Sequence, residues 1–141
     1  MSGPLYTTEI LRLATSIPHL GRLDAPHGSA EKRSMTCGSR ISVDVCLDDA
    51  GRVRDFAQTV SACALGQASA CLMGRCVIGA DAGQLEAARE ALKRWLTREA
   101  DTPGDWEGLG ILAAARDYPA RHAAILLPFE AAVEAVGKAR G

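Results

Sequence analysis

A chain of 141 residues, 48% hydrophobic and 23% charged, is expected to fold as one domain with an ordinary buried core. Its net charge of −1 and 4% aromatic content exclude the basic stripe and stacking platform that a nucleic-acid partner requires. Five cysteines, an odd number, argue against a disulfide framework; no apolar run approaches the roughly 20 residues that span a bilayer, and the opening MSGPLYTTEILRL lacks the apolar stretch of a secretory leader, so a reducing cytoplasm is the expected location.

In chain order, Thr7 or Thr8 caps a short helix reaching about Ser16, with Ile10, Leu11 and Leu13 as its apolar side and Pro18 as its stop. Residues 19–33 hold Gly21, Pro26 and Gly28 among mixed charges and read as an irregular connection, with a short first strand over 32–37. Ile41, Val43, Val45 and Leu47 then alternate with Ser42, Asp44, Cys46 and Asp48, the period of a half-buried strand. DDAG at 48–51 is a hairpin turn with Gly51 available for a positive φ. The returning strand alternates Val53, Asp55 and Ala57 with Arg54, Phe56 and Gln58.

From 64 to 78 the period becomes helical, with Leu65, Ala68, Leu72 and Cys76 on one apolar face and Gly79 as the stop. Asp81 caps a helix to about Arg98 that carries Leu85, Ala88, Leu92 and Trp95. TPGD at 102–105 breaks it, and 109–115 forms one or two turns. The last helix starts near Pro119 and runs to about Ala139, with Ile125, Phe129, Ala132, Val133 and Val136 as its stripe. Pro128 has no N–H, so the carbonyl of Ala124 loses its helical partner and a kink or local opening is expected there. The expected class is α+β, a small antiparallel sheet covered by helices.

The chemistry rests on the cysteines. Gly38 lets the backbone turn sharply after Cys37, and Cys63 stands where strand gives way to helix, a position that favours a thiolate. Thiolates serve soft metals and sulfur transfer, and a tight hairpin returns Cys37 and Cys63 toward the same end of the sheet. The plainer reading of a free cysteine is a small buried hydrophobe, which suits Cys76; Cys46 is ambiguous and Cys71 is expected off the apolar face. Zinc and iron–sulfur sites take four ligands, so two thiolates are incomplete. His122, in the first turn of the last helix, is the nearest further candidate, against the alternative of a satisfied core or capping histidine. His19 and His27 have no partner pattern. No hydrolase triad, P-loop, dinucleotide glycine pattern or paired carboxylates stands out, so no enzymatic turnover is expected.

Four stretches carry a resemblance: SIPHLGRLDAP (16–26), TCGSRISVDVCLDDAGRV (36–53), SACALGQASACLM (61–73) and YPARHAAILLPFEAA (118–132). In order and spacing they resemble the iron–sulfur cluster scaffold family of IscU, SufU and the NifU N-terminal domain, and they extend over most of the chain. The resemblance implies a single domain with a three-stranded antiparallel sheet and helices packed on it. It also implies assembly of a [2Fe–2S] cluster from iron and the sulfide of a cysteine desulfurase, then transfer to apo recipient proteins. Cys37 and Cys63 fall on the family's first and second ligand cysteines. Ser39 stands at the family's aspartate, Ala62 at the glycine before the second cysteine, and Ala124 at the third ligand cysteine.

Three readings follow. In the first, a scaffold or carrier binds iron or the cluster through Cys37 and Cys63, completed by His122, by a small thiol such as glutathione, or by a second subunit in a homodimer, with zinc as an alternative metal. In the second, the chain accepts persulfide sulfur, on Cys63, or regulates a desulfurase without assembling a cluster. In the third, it is an interaction module that keeps the fold.

Overall fold

The computed structural model describes residues 5–35 and 38–141. Its elements run α1 (Thr8–Ala14), β1 (Gly28–Arg33), β2 (Arg40–Leu47), β3 (Val53–Ser61), α2 (Ala64–Cys76), α3 (Ala82–Leu96), two short 3-10 segments (Leu109–Asp117 and Pro119–Arg121) and α4 (His122–Ala139). The sheet is antiparallel throughout, in the order β1-β2-β3, so the α+β class with three strands holds.

Local chemistry accounts for most element boundaries. Thr7 accepts a hydrogen bond from the Ile10 N–H and opens α1. Leu11, expected in the core, is 48% exposed, and Ala14 is buried in its place. The 48–51 turn forms as expected: Asp48 Oδ1 accepts from the N–H groups of Ala50 and Arg52, and Gly51 takes φ +79°. Asp81 and Gln84 close a capping box on α3, which buries Leu85, Ala88, Leu92 and Trp95. Gly79, at φ +89°, follows the end of α2.

Three expectations about the sheet need correction. The first strand is 28–33 rather than 32–37; it holds a single aliphatic side chain, Ala30, and lies so close to α4 that a Cβ at Gly28 would sit 2.2 Å from the Ala135 carbonyl oxygen. β2 is buried on both faces, because residues 21–27 cross its outer side: Asp44 receives Arg22, Ser29 and the Leu23 N–H, and the Cys46 thiol faces the Ala25 carbonyl at 3.5 Å. In β3 the alternation breaks where the register slips between Cys46 and Leu47, so Val53 and Phe56 both join the core.

The core lies between the sheet's inner face and the helices. It includes Ile41, Val43 and Val45 from β2, Leu65 and Leu72 from α2, and Ile125, Phe129 and Val136 from α4. Sheet, α1 and α4 enclose α2, which is buried nearly all round. Gln58 is fully buried where β3, α2 and the 18–21 segment meet; its Nε2 donates to the carbonyls of Pro18 and Ala70.

Candidate functional site

The hairpin register brings the two cysteine-bearing segments to one end of the sheet. Arg40 pairs with Ser61, so the segment entering β2 and the segment leaving β3 stand side by side. Cys63, two residues beyond Ser61, is the N-cap of α2, with φ −66° and ψ 169°. Its side chain makes no capping hydrogen bond and is half-buried, while its carbonyl accepts from the Gln67 N–H at 2.9 Å. The thiol is therefore presented at the helix start rather than consumed by the cap.

On the neighbouring strand, Ser34 and Ser39 close the turn between β1 and β2: the Ser34 N–H donates to the Ser39 carbonyl at 2.8 Å, and the Gly38 N–H donates to the Ser34 carbonyl at 3.0 Å. Gly38 has φ +71°, a conformation that glycine adopts without strain. Ser39 is 2% exposed. Thr36 and Cys37 lie outside the described residues, and with them the expected meeting of Cys37 with Cys63.

Ala124 faces this same corner. A Cβ placed on Gly66, in the first turn of α2, would lie 2.9 Å from the Ala62 Cβ, 3.3 Å from the Ala124 carbonyl oxygen and 3.5 Å from its Cβ. The first turn of α2, the Ala62 methyl and the Ala124 methyl are thus in one tight contact. Ser69 Oγ fixes the two helices together by donating to the Ile125 carbonyl. Pro128 lies within α4, so no N–H from that position reaches the Ala124 carbonyl, the oxygen that faces Gly66.

His122 is placed differently. Residues two apart on a helix do not share a face, and His122 Nε2 lies 2.9 Å from the Ala115 carbonyl in the 3-10 segment. A carbonyl only accepts, so His122 donates through Nε2 in this contact.

The remaining cysteines divide otherwise than expected. Cys71 is fully buried, not exposed, because its side of α2 is covered by α1 and the segment that follows it; its Sγ lies 3.4 Å from the Ser16 carbonyl. Cys46 is buried as well. Cys76, expected in the core, is half-buried at the end of α2. Burial pushes both the Cys71 and Cys76 thiols up, and Glu107 adds to the effect on Cys76. Among the described residues, which omit Cys37, no three His, Cys, Asp or Glu side chains form a metal-binding group.

One further feature lies away from the cysteine-bearing corner. A groove of about 560 Å³ opens at the far end of α2, with Cys76, Ile78, Ala87, Ala91, Trp106 and Glu107 among its lining. Its wall is assembled by tertiary contacts: the Trp106 indole N–H donates to the Leu72 carbonyl at 2.9 Å, and the ring stands edge-on to Phe129. Nothing in the local sequence pattern announces it.

Comparison with known proteins places the whole chain in context. The profile of the NifU-like N-terminal domain matches residues 5–124. The iron–sulfur cluster assembly scaffold protein IscU of Thermotoga maritima is 27% identical over 134 residues, covering 95% of this chain and 94% of that protein. The crystal structure of a nitrogen-fixing NifU-like protein (N-terminal) from Brucella abortus superposes with a TM-score of 0.91 at 39% identity, covering 96% of this chain and 94% of that one. The crystal structure of a putative iron–sulfur cluster assembly scaffold protein for the SUF system of Fervidobacterium islandicum AW-1 shares the fold, with a TM-score of 0.85 at 18% identity over 94% of this chain and 96% of that one.

Proposed function

Because the chain belongs to the NifU-like N-terminal domain family, we propose that it is an iron–sulfur cluster assembly scaffold that holds its cargo, iron or a [2Fe–2S] cluster, on Cys37 and Cys63. The observation that carries this reading is Cys63 itself. It is the half-buried N-cap of α2, it spends its thiol on no capping bond, and it stands beside the segment that leads to Cys37. A sulfur at a helix start is a fitting donor to a soft metal, since the N-terminal partial charge favours the thiolate.

The donor set within one chain stops at two thiols. Ala124 offers a methyl where the family resemblance puts a cysteine. His122 lies on another side of α4 and is tied through Nε2 to Ala115. We therefore assign the remaining ligation to groups from outside the chain, a small thiol or a second subunit, in preference to His122. The partners of this activity are a cysteine desulfurase as sulfide source and apo proteins as recipients; the chain performs no turnover of its own. Zinc suits the same thiolates, and metal analysis distinguishes the two cargoes.

Anaerobic incubation with ferrous iron, cysteine and a cysteine desulfurase is expected to produce the visible absorption of a thiolate-ligated cluster, with matching iron and sulfide content. Cys63→Ser and Cys37→Ser should each abolish it. No uptake by the wild-type chain, or uptake unchanged by Cys37→Ser, would overturn the assignment. Sulfur added to Cys63 in the mass spectrum without any cluster would shift the reading to a persulfide acceptor.

A further inference from the structure

The turn between β1 and β2 and the groove beside Trp106 have complementary surfaces. Met35, in the turn, is 96% exposed. At the base of the turn Arg33 and Arg40 are cross-strand partners, both exposed. Like charges directly opposite one another weaken a sheet. Glu31 offsets Arg33 at 3.2 Å, whereas Arg40 makes no ion pair among the described residues. The turn thus presents an apolar side chain on a cationic base.

The groove has the opposite character. Ile78, 47% exposed, and the indole of Trp106 line it with the small side chains of Ala87 and Ala91 on α3. The charged residues lining it are both acids, Asp105 and Glu107; both are exposed, and neither makes an ion pair among the described residues. Arg75, whose charge is felt at Cys76, is not among the lining residues. The groove's volume falls within the range of sites that take a side chain or small ligand.

One chain cannot join these two surfaces within itself. The turn lies beside the start of α2 and the groove beside its end, and 13 helical residues separate them by about 20 Å. We propose that the groove receives the β1–β2 turn of a second copy of this chain, with Met35 against Trp106 and Ile78 and with Arg40 facing Asp105 and Glu107. The contact joins two different surfaces, so copies close either as a two-fold dimer in which each turn enters the other's groove or as a ring.

Sedimentation velocity of the full chain under reductant, with and without iron and sulfide, tests the contact. Concentration-dependent self-association is expected. Met35→Asp at the turn and Ala87→Trp in the groove, both at exposed positions, should each weaken it by about tenfold or more. A mixture of the two should form dimers only, since one intact turn and one intact groove remain. Arg40→Glu and Glu107→Arg should each weaken association, and the two together in one chain should restore it. A wild-type chain that stays monomeric while taking up cluster would overturn this inference and leave the scaffold reading intact. Association that the charge exchange fails to restore would also overturn it. Association without any cluster uptake would support the docking surface and remove the scaffold reading.

Discussion

At the scale of single residues, the decisive one is Ala124. Its Cβ and carbonyl crowd the first turn of α2, and Ala62 fills the space beside them. Sulfur in place of one methyl hydrogen adds little volume and faces the Cys63 end of α2. Ala124→Cys is therefore expected to slow cluster loss to a chelator several-fold, at a stability cost of about 1 kcal/mol from mild overpacking. Anaerobic absorption decay and urea unfolding measure the two effects. Ser39 offers no such easy change. It is 2% exposed, so Ser39→Asp would bury a carboxylate and should destabilise by roughly 2 kcal/mol or more. Between the departures at 39 and 124, the one at 124 should be the more readily reversed.

At the scale of elements, a buried carboxylate pins the 21–27 segment across the sheet. Burial pushes the Asp44 carboxyl up, but hydrogen bonds from Arg22, Ser29 and the Leu23 N–H outweigh it and hold the group below the usual carboxylate range. The sign follows from the depressed value. The unfolded chain takes up the proton first as pH falls, so the stabilisation is complete above about pH 4 to 5 and is lost as pH drops through the folded value. Asp44→Asn should cost roughly 1–3 kcal/mol at pH 7, and its urea midpoint should approach that of the wild type in acid. The close approach of β1 to α4 gives a second test. Gly28→Ala would drive a methyl into the Ala135 carbonyl at 2.2 Å, so thermal unfolding should show a loss of about 3 kcal/mol or more. These elements also show which parts of the fold were legible in the sequence. α3 was plain, because its capping box and apolar spacing are local signals. β1 was misplaced by four residues, because its burial comes from α4 rather than from any alternation in GSAEKR. Cys71 was put on the wrong side, because periodicity identifies one buried face and α2 has several. The position of Cys63 was readable from the hairpin and the helix start; the groove beside Trp106 was not, since residues 76–80, 84–91 and 104–107 meet there only after folding.

At the scale of the whole molecule, one side chain reports on how the layers are joined. Gln58 lies in the sheet and is fully buried under α2, and its main chain pairs with the 18–21 segment through His19 and Gly21. Nε2 reaches the carbonyls of Pro18 and Ala70, while Oε1 has no partner among the described residues. The junction is tight: a Cβ on Gly74 would come within 2.7 Å of Nε2 and 2.9 Å of the Pro18 ring. An amide fits here because it donates to two carbonyls at once. Gln58→Glu keeps the shape and removes those donors, leaving a carboxylate against two carbonyl oxygens. Protonation restores one O–H donor, so the introduced carboxyl should titrate well above its value in the unfolded chain. The unfolded state then loses its proton first as pH rises. The variant should be closest to wild-type stability below about pH 4 and lose stability as pH rises toward neutrality, by roughly 3 kcal/mol or more. This slope is opposite in sign to the one Asp44 contributes, and urea midpoints of the two variants across pH 3.5 to 8 would separate them. If Gln58→Glu were insensitive to pH, water would have to reach the side chain, and the joint between sheet, α2 and the 18–21 segment would be open rather than packed.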